Sequence, residues 1–364
     1  MTNLINGLGR RQFLELLGGT AAGALVAGSS RPARATAAEI RWLTWENLAH
    51  DKYIHGFTEA TGIAVQKGFI GSDDEQFAKI RAGGAADWDL ITPGLDKVEL
   101  YVASGLLKPL DLNRIPNAAK RYEPFKKTPL GKHDGKVYGM PFYWGINPIV
   151  YRADLVDEEP DWSTLFEGKK YAGRLATRDY ALEGIVTAAM YLGIPRDHLF
   201  DLDAKELAEV KKACIAQKKL LRTYWSSIAD LTNLFAAGEV VCAFSWVPPY
   251  YDLKARGIDM GMAKPKEGVI GWCDTLAVPR EVDDEHYQAA LRMIDFLLGP
   301  DYGYKLALGG PYAQSTSSAR DLLTDAQRER IFIKDLSVMD SFVWKKNPPN
   351  YGTWVRLWDE VKAS

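Results

Sequence analysis

Glu39-Ile40-Arg41-Trp42-Leu43-Thr44-Trp45 carries the β-branched and aromatic residues of a strand. From Lys52 to Thr61, Tyr53, Phe57 and Ala60 share one helical face, and Gly62 follows where a helix C-terminus favours glycine. Ile63-Ala64-Val65 returns to strand character. A helix from Glu75 to Ala82 stops at Gly83-Gly84, Trp88-Asp89-Leu90-Ile91-Thr92-Pro93 is a short strand closed by proline, and a helix from Asp96 to Ala103 stops at Gly105. This alternation predicts an α/β fold on a parallel sheet.

The pattern then repeats. Tyr138 to Tyr151 is a long, largely apolar strand-like run interrupted by Pro141, Gly145 and Pro148. Beyond it, Trp162-Ser163-Thr164-Leu165 starts a short helix, Gly173-Arg174-Leu175-Ala176 reads as a strand, and Leu182–Leu192 and Ala204–Leu221 read as helices. Val240–Trp246 is a buried strand, Glu285–Leu298 an amphipathic helix, and Trp354–Lys362 a last helix. Two similar halves, joined by extended segments near 140–151 and 274–280, predict two lobes with a cleft and a hinge between them.

The first 37 residues set the expected compartment. Arg10-Arg11-Gln12-Phe13-Leu14 precedes a short Gly- and Ala-rich apolar run from Leu16 to Ala27, then Ala33-Arg34-Ala35 and Ala35-Thr36-Ala37 as cleavage candidates. The order is that of an export signal, and the paired arginines point to the twin-arginine route. The run is shorter than the ~20 apolar residues of a membrane span. The whole chain has a net charge of −2, and residues 1–37 hold four arginines against Glu15, so the remainder carries −5. A mildly acidic surface argues against nucleic acid as partner. Cys214, Cys242 and Cys273 form no C-x-x-C pair and read as small buried apolar side chains.

No catalytic constellation assembles. His50, His55, His133, His198 and His286 lack the H-E-x-x-H spacing, and no G-x-S-x-G, P-loop or G-x-G-x-x-G occurs. Asp73-Asp74-Glu75 reads as a solvated helix cap. Neither an enzyme nor a cofactor is expected.

Longer motifs carry a resemblance. Trp42-Leu43-Thr44-Trp45, then Phe57-Thr58-Glu59-Ala60-Thr61-Gly62-Ile63, then Trp88–Pro93 with Gly105-Leu106-Leu107-Lys108-Pro109-Leu110-Asp111 occur in order. Tyr143-Trp144-Gly145, Gly238-Glu239-Val240 and Trp246 follow. Most specific is Pro265-Lys266-Glu267-Gly268-Val269-Ile270-Gly271-Trp272-Cys273-Asp274-Thr275-Leu276-Ala277-Val278-Pro279. Nearly all of the chain after the leader resembles the spermidine/putrescine-binding periplasmic proteins. The resemblance implies a two-lobed type II periplasmic binding protein, each lobe a mixed, mostly parallel sheet flanked by helices. Lobe 1 is expected at 38–147 plus 274–318, lobe 2 at 148–273 plus 319–364, after a leader at 1–37. It also implies a monomer that captures a polyamine or related small amine for the membrane permease of an ABC importer.

An alkylammonium ligand needs carboxylates for its N–H donors and aromatic faces for its methylenes and charge. Trp272 and Asp274 lie two apart on an extended segment, so both side chains point the same way. The resemblance makes them ligand contacts, together with Trp45, Trp246, Glu183 and Tyr312. Departures from the family pattern are as informative. Tyr180 stands where spermidine binders have a second Asp, with Asp179 facing elsewhere. Gly94 replaces a Ser, Asp96 a Tyr and Leu48 a Tyr. Trp344 matches, but Lys345 replaces a Gln. A lysine repels a polyamine and attracts a carboxylate, so the pattern allows an amine end at Asp274 and a carboxylate end at Lys345 or Arg178. The ligand is then an amino acid-like zwitterion such as γ-aminobutyrate, unless Lys345 points to solvent. A remoter alternative is ferric ion bound through Tyr250-Tyr251.

Overall fold

The computed structural model describes residues 39–364. The expected leader and its cleavage sites lie outside the described residues. Three sheets organise the remainder. Glu39–Thr44 is the central strand of a parallel three-stranded sheet, between Ala64–Phe69 and Leu90–Ile91. Helix Asp51–Thr61 makes the first crossover and ends at Gly62, whose φ of 72° is a left-handed conformation that glycine adopts without strain. A five-stranded sheet runs in the order Leu221–Trp225, Leu175–Arg178, Cys242–Phe244, Ile149–Arg152, Met260–Ala263. Its first three strands are parallel and the last two pairings antiparallel.

The third sheet joins the other two. Met140–Asn147, buried along its whole length, pairs antiparallel with Val269–Leu276, which pairs parallel with Phe342–Trp344. Met140, Phe142 and Leu276 pack in the core around the first sheet, whereas Ile149 and Ile270 pack in the core around the five-stranded one. Between these, Trp144, Ile146, Cys273 and Phe342 form a core of their own. Val269–Leu276, the core of the segment Pro265–Pro279, is thus an interior strand, and residues two apart on it share a face.

Several boundaries differ from the sequence reading: the strands expected at Val240–Trp246 and Trp88–Pro93 shorten to Cys242–Phe244 and Leu90–Ile91, and two helices shift. The helix expected to run to Leu221 ends at Lys218, because Leu221–Trp225 is drawn into the sheet beside Leu175–Arg178. The helix expected from Glu75 begins at Asp73, with the Ser72 hydroxyl accepting from the Glu75 amide. The three cysteines are buried free thiols. Among the described residues no helix is long and apolar enough to cross a membrane.

Candidate ligand-binding cleft

The joining sheet floors a cavity of about 660 Å³. Trp45, from the end of the first strand, and Trp246, just past Cys242–Phe244, line it from opposite sheets. Trp272 and Asp274 both line it, as their spacing on the strand predicts, with Tyr143 and Tyr312 beside them. Trp272, Tyr143 and Tyr312 meet edge to face at 5.2–5.9 Å. The result is an aromatic wall adjoining one carboxylate.

That carboxylate is in an acidic neighbourhood. Asp274 is 8% exposed, and its backbone bridges to Gly94. The Gly94 amide donates to Asp73 Oδ1 at 2.9 Å. A Cβ at position 94 would lie 2.8 Å from Asp96 Oδ1 and 3.3 Å from Asp73 Oδ1, so the missing side chain leaves room for both acids. Asp96 is buried, and its Oδ2 has no hydrogen-bond partner. Asp73, read from sequence as part of a solvated cap, instead faces the cavity. Ser72 caps the helix, which frees the Asp73 side chain to turn inward.

Burial, reinforced by the charge of Asp73, pushes the Asp274 carboxyl up to about 8. Lys345 and a hydrogen bond donated by the Tyr143 hydroxyl oppose that rise, and Asp96 adds to it. Burial and then Asp96 also raise Asp73. An arriving ammonium stabilises the ionised form of Asp274 and expels its proton. At pH 7 an acid of pKa about 8 carries about 0.9 proton, so binding is expected to release most of one. Isothermal titration in buffers of different ionisation enthalpy measures this. Affinity should rise with pH up to about 8, and an apparent enthalpy independent of the buffer would contradict the assignment.

The opposite end is cationic. Glu183, 0% exposed at the start of helix Ala181–Tyr191, accepts from Arg178 Nη1 on both oxygens (3.0 and 3.1 Å) and from Asn147 Nδ2 (3.0 Å). Lys345 Nζ lies 3.6 Å from the same carboxylate. Asn147 in turn accepts from the Trp272 indole at 2.9 Å, which fixes its amide orientation and ties the aromatic wall to Glu183. The Arg178 guanidinium stands over Trp246 (4.5 Å), Tyr180 (4.9 Å) and Trp225 (6.0 Å). Lys345 does not point to solvent: its side chain is 12% exposed and stands over Tyr180 at 5.6 Å. Its amide donates to Gly271 O, beside the central strand. Burial pulls the Lys345 ammonium down, but Asp96, Glu183 and Asp73 outweigh it and the net direction is up.

Other expected positions resolve differently. Tyr180 does not line the cavity; it backs the two cations and hydrogen-bonds Tyr351. Asp179 faces away, accepting from the Trp358 indole. Leu48 is core. Trp344 lines a second cavity of about 420 Å³ behind the central strand, with Phe125 and Cys273. Tyr250 and Tyr251 meet edge to face outside the cleft, and Tyr251 donates to the Arg330 carbonyl. Asp73 and Asn147 were not foreseen as site residues, since an Asp beside a helix cap and an Asn before Pro148 have commonplace local explanations.

Residues 52–330 match the bacterial extracellular solute-binding protein family. The spermidine/putrescine-binding periplasmic protein of Escherichia coli is 25% identical over 331 residues, covering 90% of this chain and 92% of that one. A solved structure of a putative spermidine/putrescine ABC transporter from Listeria monocytogenes superposes with a TM-score of 0.77 at 21% identity, over 89% of this chain and 98% of that one. A GABA receptor structure superposes with a TM-score of 0.70, also at 21% identity, over 89% and 95%. The two solved neighbours share the fold, and fold alone does not select a ligand. The motifs, the cleft and the match over 52–330 agree: the chain belongs to the bacterial extracellular solute-binding proteins.

Proposed function

We propose that this protein is the periplasmic solute-binding component of an ABC importer and captures a small amine between two lobes. The observation that carries this reading is Asp274, a buried carboxylate at the edge of an aromatic wall in a cavity of about 660 Å³. A carboxylate beside aromatic faces is the arrangement an alkylammonium requires. In this reading residues 1–37 direct export by the twin-arginine route. Lobe 1 (38–147 plus 274–318) and lobe 2 (148–273 plus 319–364) close about the joining strands, and the closed monomer delivers its solute unreacted to a membrane permease. The relatives' polyamine ligands give the starting panel.

A thermal-shift screen with spermidine, putrescine, cadaverine, γ-aminobutyrate, basic amino acids and quaternary amines tests it. At 100 times the dissociation constant, ligand adds about 2.7 kcal/mol of stability, which is readily seen. A rise in midpoint with at least one amine is expected, and none with ferric citrate. No rise with any amine sinks the amine assignment.

A further inference from the structure

We infer that the protein's own Arg178 and Lys345 occupy the second amine subsite of the cleft, so that the solute carries one ammonium group and an acceptor at its other end. The inference rests on the small-amine reading above and narrows it.

Two sets of groups in the cleft could receive an ammonium. One is Asp274, with Asp73 across Gly94 from it and Trp272, Tyr143 and Tyr312 beside it, and no cation of the chain hydrogen-bonds the Asp274 carboxylate among the described residues. The other is Glu183 with the face of Trp246, a buried carboxylate near an aromatic ring, with Tyr180 behind it. Here every element is taken. Arg178 gives Nη1 to both Glu183 oxygens and places its guanidinium over Trp246 and Tyr180. Lys345 sits 3.6 Å from Glu183 and over Tyr180. Asn147 takes a further lone pair of Glu183. Arg178 already neutralises Glu183, and Lys345, which Asp96 and Asp73 also attract, adds a second cation beside it, so a ligand's second ammonium would meet two cations and no free carboxylate there.

The same end is suited to an acceptor. Among the described residues the side-chain hydrogen bonds of Arg178 leave from Nη1 alone, so Nε and Nη2 retain donors, and the side chain, 22% exposed, lines the cavity. Lys345 lines it too and donates no side-chain hydrogen bond among the described residues. A carboxylate or carboxamide accepts from both. Asn147 spaces the two ends, joining Trp272 at one to Glu183 at the other.

Three probes with the same four-carbon chain separate the possibilities. γ-Aminobutyrate has an ammonium and a carboxylate, butylamine an ammonium alone, and putrescine two ammoniums. Calorimetric titration of the purified protein should rank them in that order. Putrescine should bind at least about a hundredfold more weakly than γ-aminobutyrate, since like charges across a desolvated contact cost several kcal/mol. Lys345→Gln, which leaves Arg178 and Asn147 on Glu183, should narrow that gap by about tenfold or more while the unliganded protein keeps its circular dichroism and cooperative melting. Putrescine binding as tightly as γ-aminobutyrate overturns the inference and leaves the amine reading standing. An unchanged ratio in a folded Lys345→Gln variant also overturns it. Binding of none of the three, nor of any other amine, overturns the amine reading and this inference with it.

Discussion

Asp274→Asn is expected to abolish ligand-induced stabilisation and, at pH 8, to raise the melting midpoint of the unliganded protein. The first effect follows from charge. A carboxylate receives ammonium N–H donors through bonds worth about 1.5–3 kcal/mol each, and loss of two such bonds weakens binding by at least about a hundredfold. Asparagine keeps the shape and an acceptor for the Tyr143 hydroxyl but supplies no charge. The second effect follows from linkage. The folded-state value of about 8 lies above the ~3.9 of an unfolded chain, so between them the folded protein holds a proton the unfolded one has released. The stability tied to that proton is fully present below about pH 4 and is lost as pH rises through about 8. Asparagine has no such loss, so the midpoint difference between variant and parent should grow steadily from pH 5 to pH 8. A gain on the order of 1–3 kcal/mol at pH 8, or about 2–5 °C, is the expected scale. A variant that still binds the amine, or that melts lower than its parent at pH 8, contradicts the role given to Asp274.

Arg178→Ala is expected to carry the largest stability cost of any single change in the cleft. It leaves Glu183, which is 0% exposed, without its two-oxygen contact to the guanidinium. Removing one partner of a buried ion pair costs about 3–5 kcal/mol, and Lys345 and Asn147, which stay beside Glu183, hold the loss to about 3 kcal/mol. For a chain of this length that lowers the midpoint by about 4–5 °C. The double variant Arg178→Met with Glu183→Gln removes both charges and keeps the Asn147 contact, so it should recover most of the loss. Chemical denaturation of the parent, Arg178→Met, Glu183→Gln and the double variant measures the coupling directly. A single-variant cost below about 1 kcal/mol would mean that water already solvates Glu183. The double variant also bares the Trp246 face, and on the reading of Arg178 and Lys345 as resident cations it should improve putrescine binding relative to γ-aminobutyrate.

How far the amino-acid order alone determines this protein can be judged residue by residue. Periodicity and glycine punctuation mark Asp51–Thr61 with Gly62, the parallel α/β character and the long buried run at Met140–Asn147, because helix faces and strand alternation are local properties of the chain. The two-residue spacing of Trp272 and Asp274 puts them on one face for the same reason. Local order also misjudges where a neighbour overrides it: the helical pattern from Ala204 runs on to Leu221, yet the edge beside Leu175–Arg178 takes Leu221 as the first residue of a strand. The electrostatic character of the cleft is largely non-local. Asp73, Gly94, Asp96 and Asp274 meet only because Val269–Leu276 runs past the turn after Leu90–Ile91, and the small Gly94 lets two carboxylates crowd together. Arg178 and Glu183 stand only five residues apart, but Asn147 and Lys345 join them from two distant segments, and their pairing turns an expected ligand carboxylate into an internal salt bridge. The sequence determines which chemical groups this cleft can own; the tertiary structure decides which are already spent on one another, because Coulomb energy and burial depend on distances that no local pattern specifies.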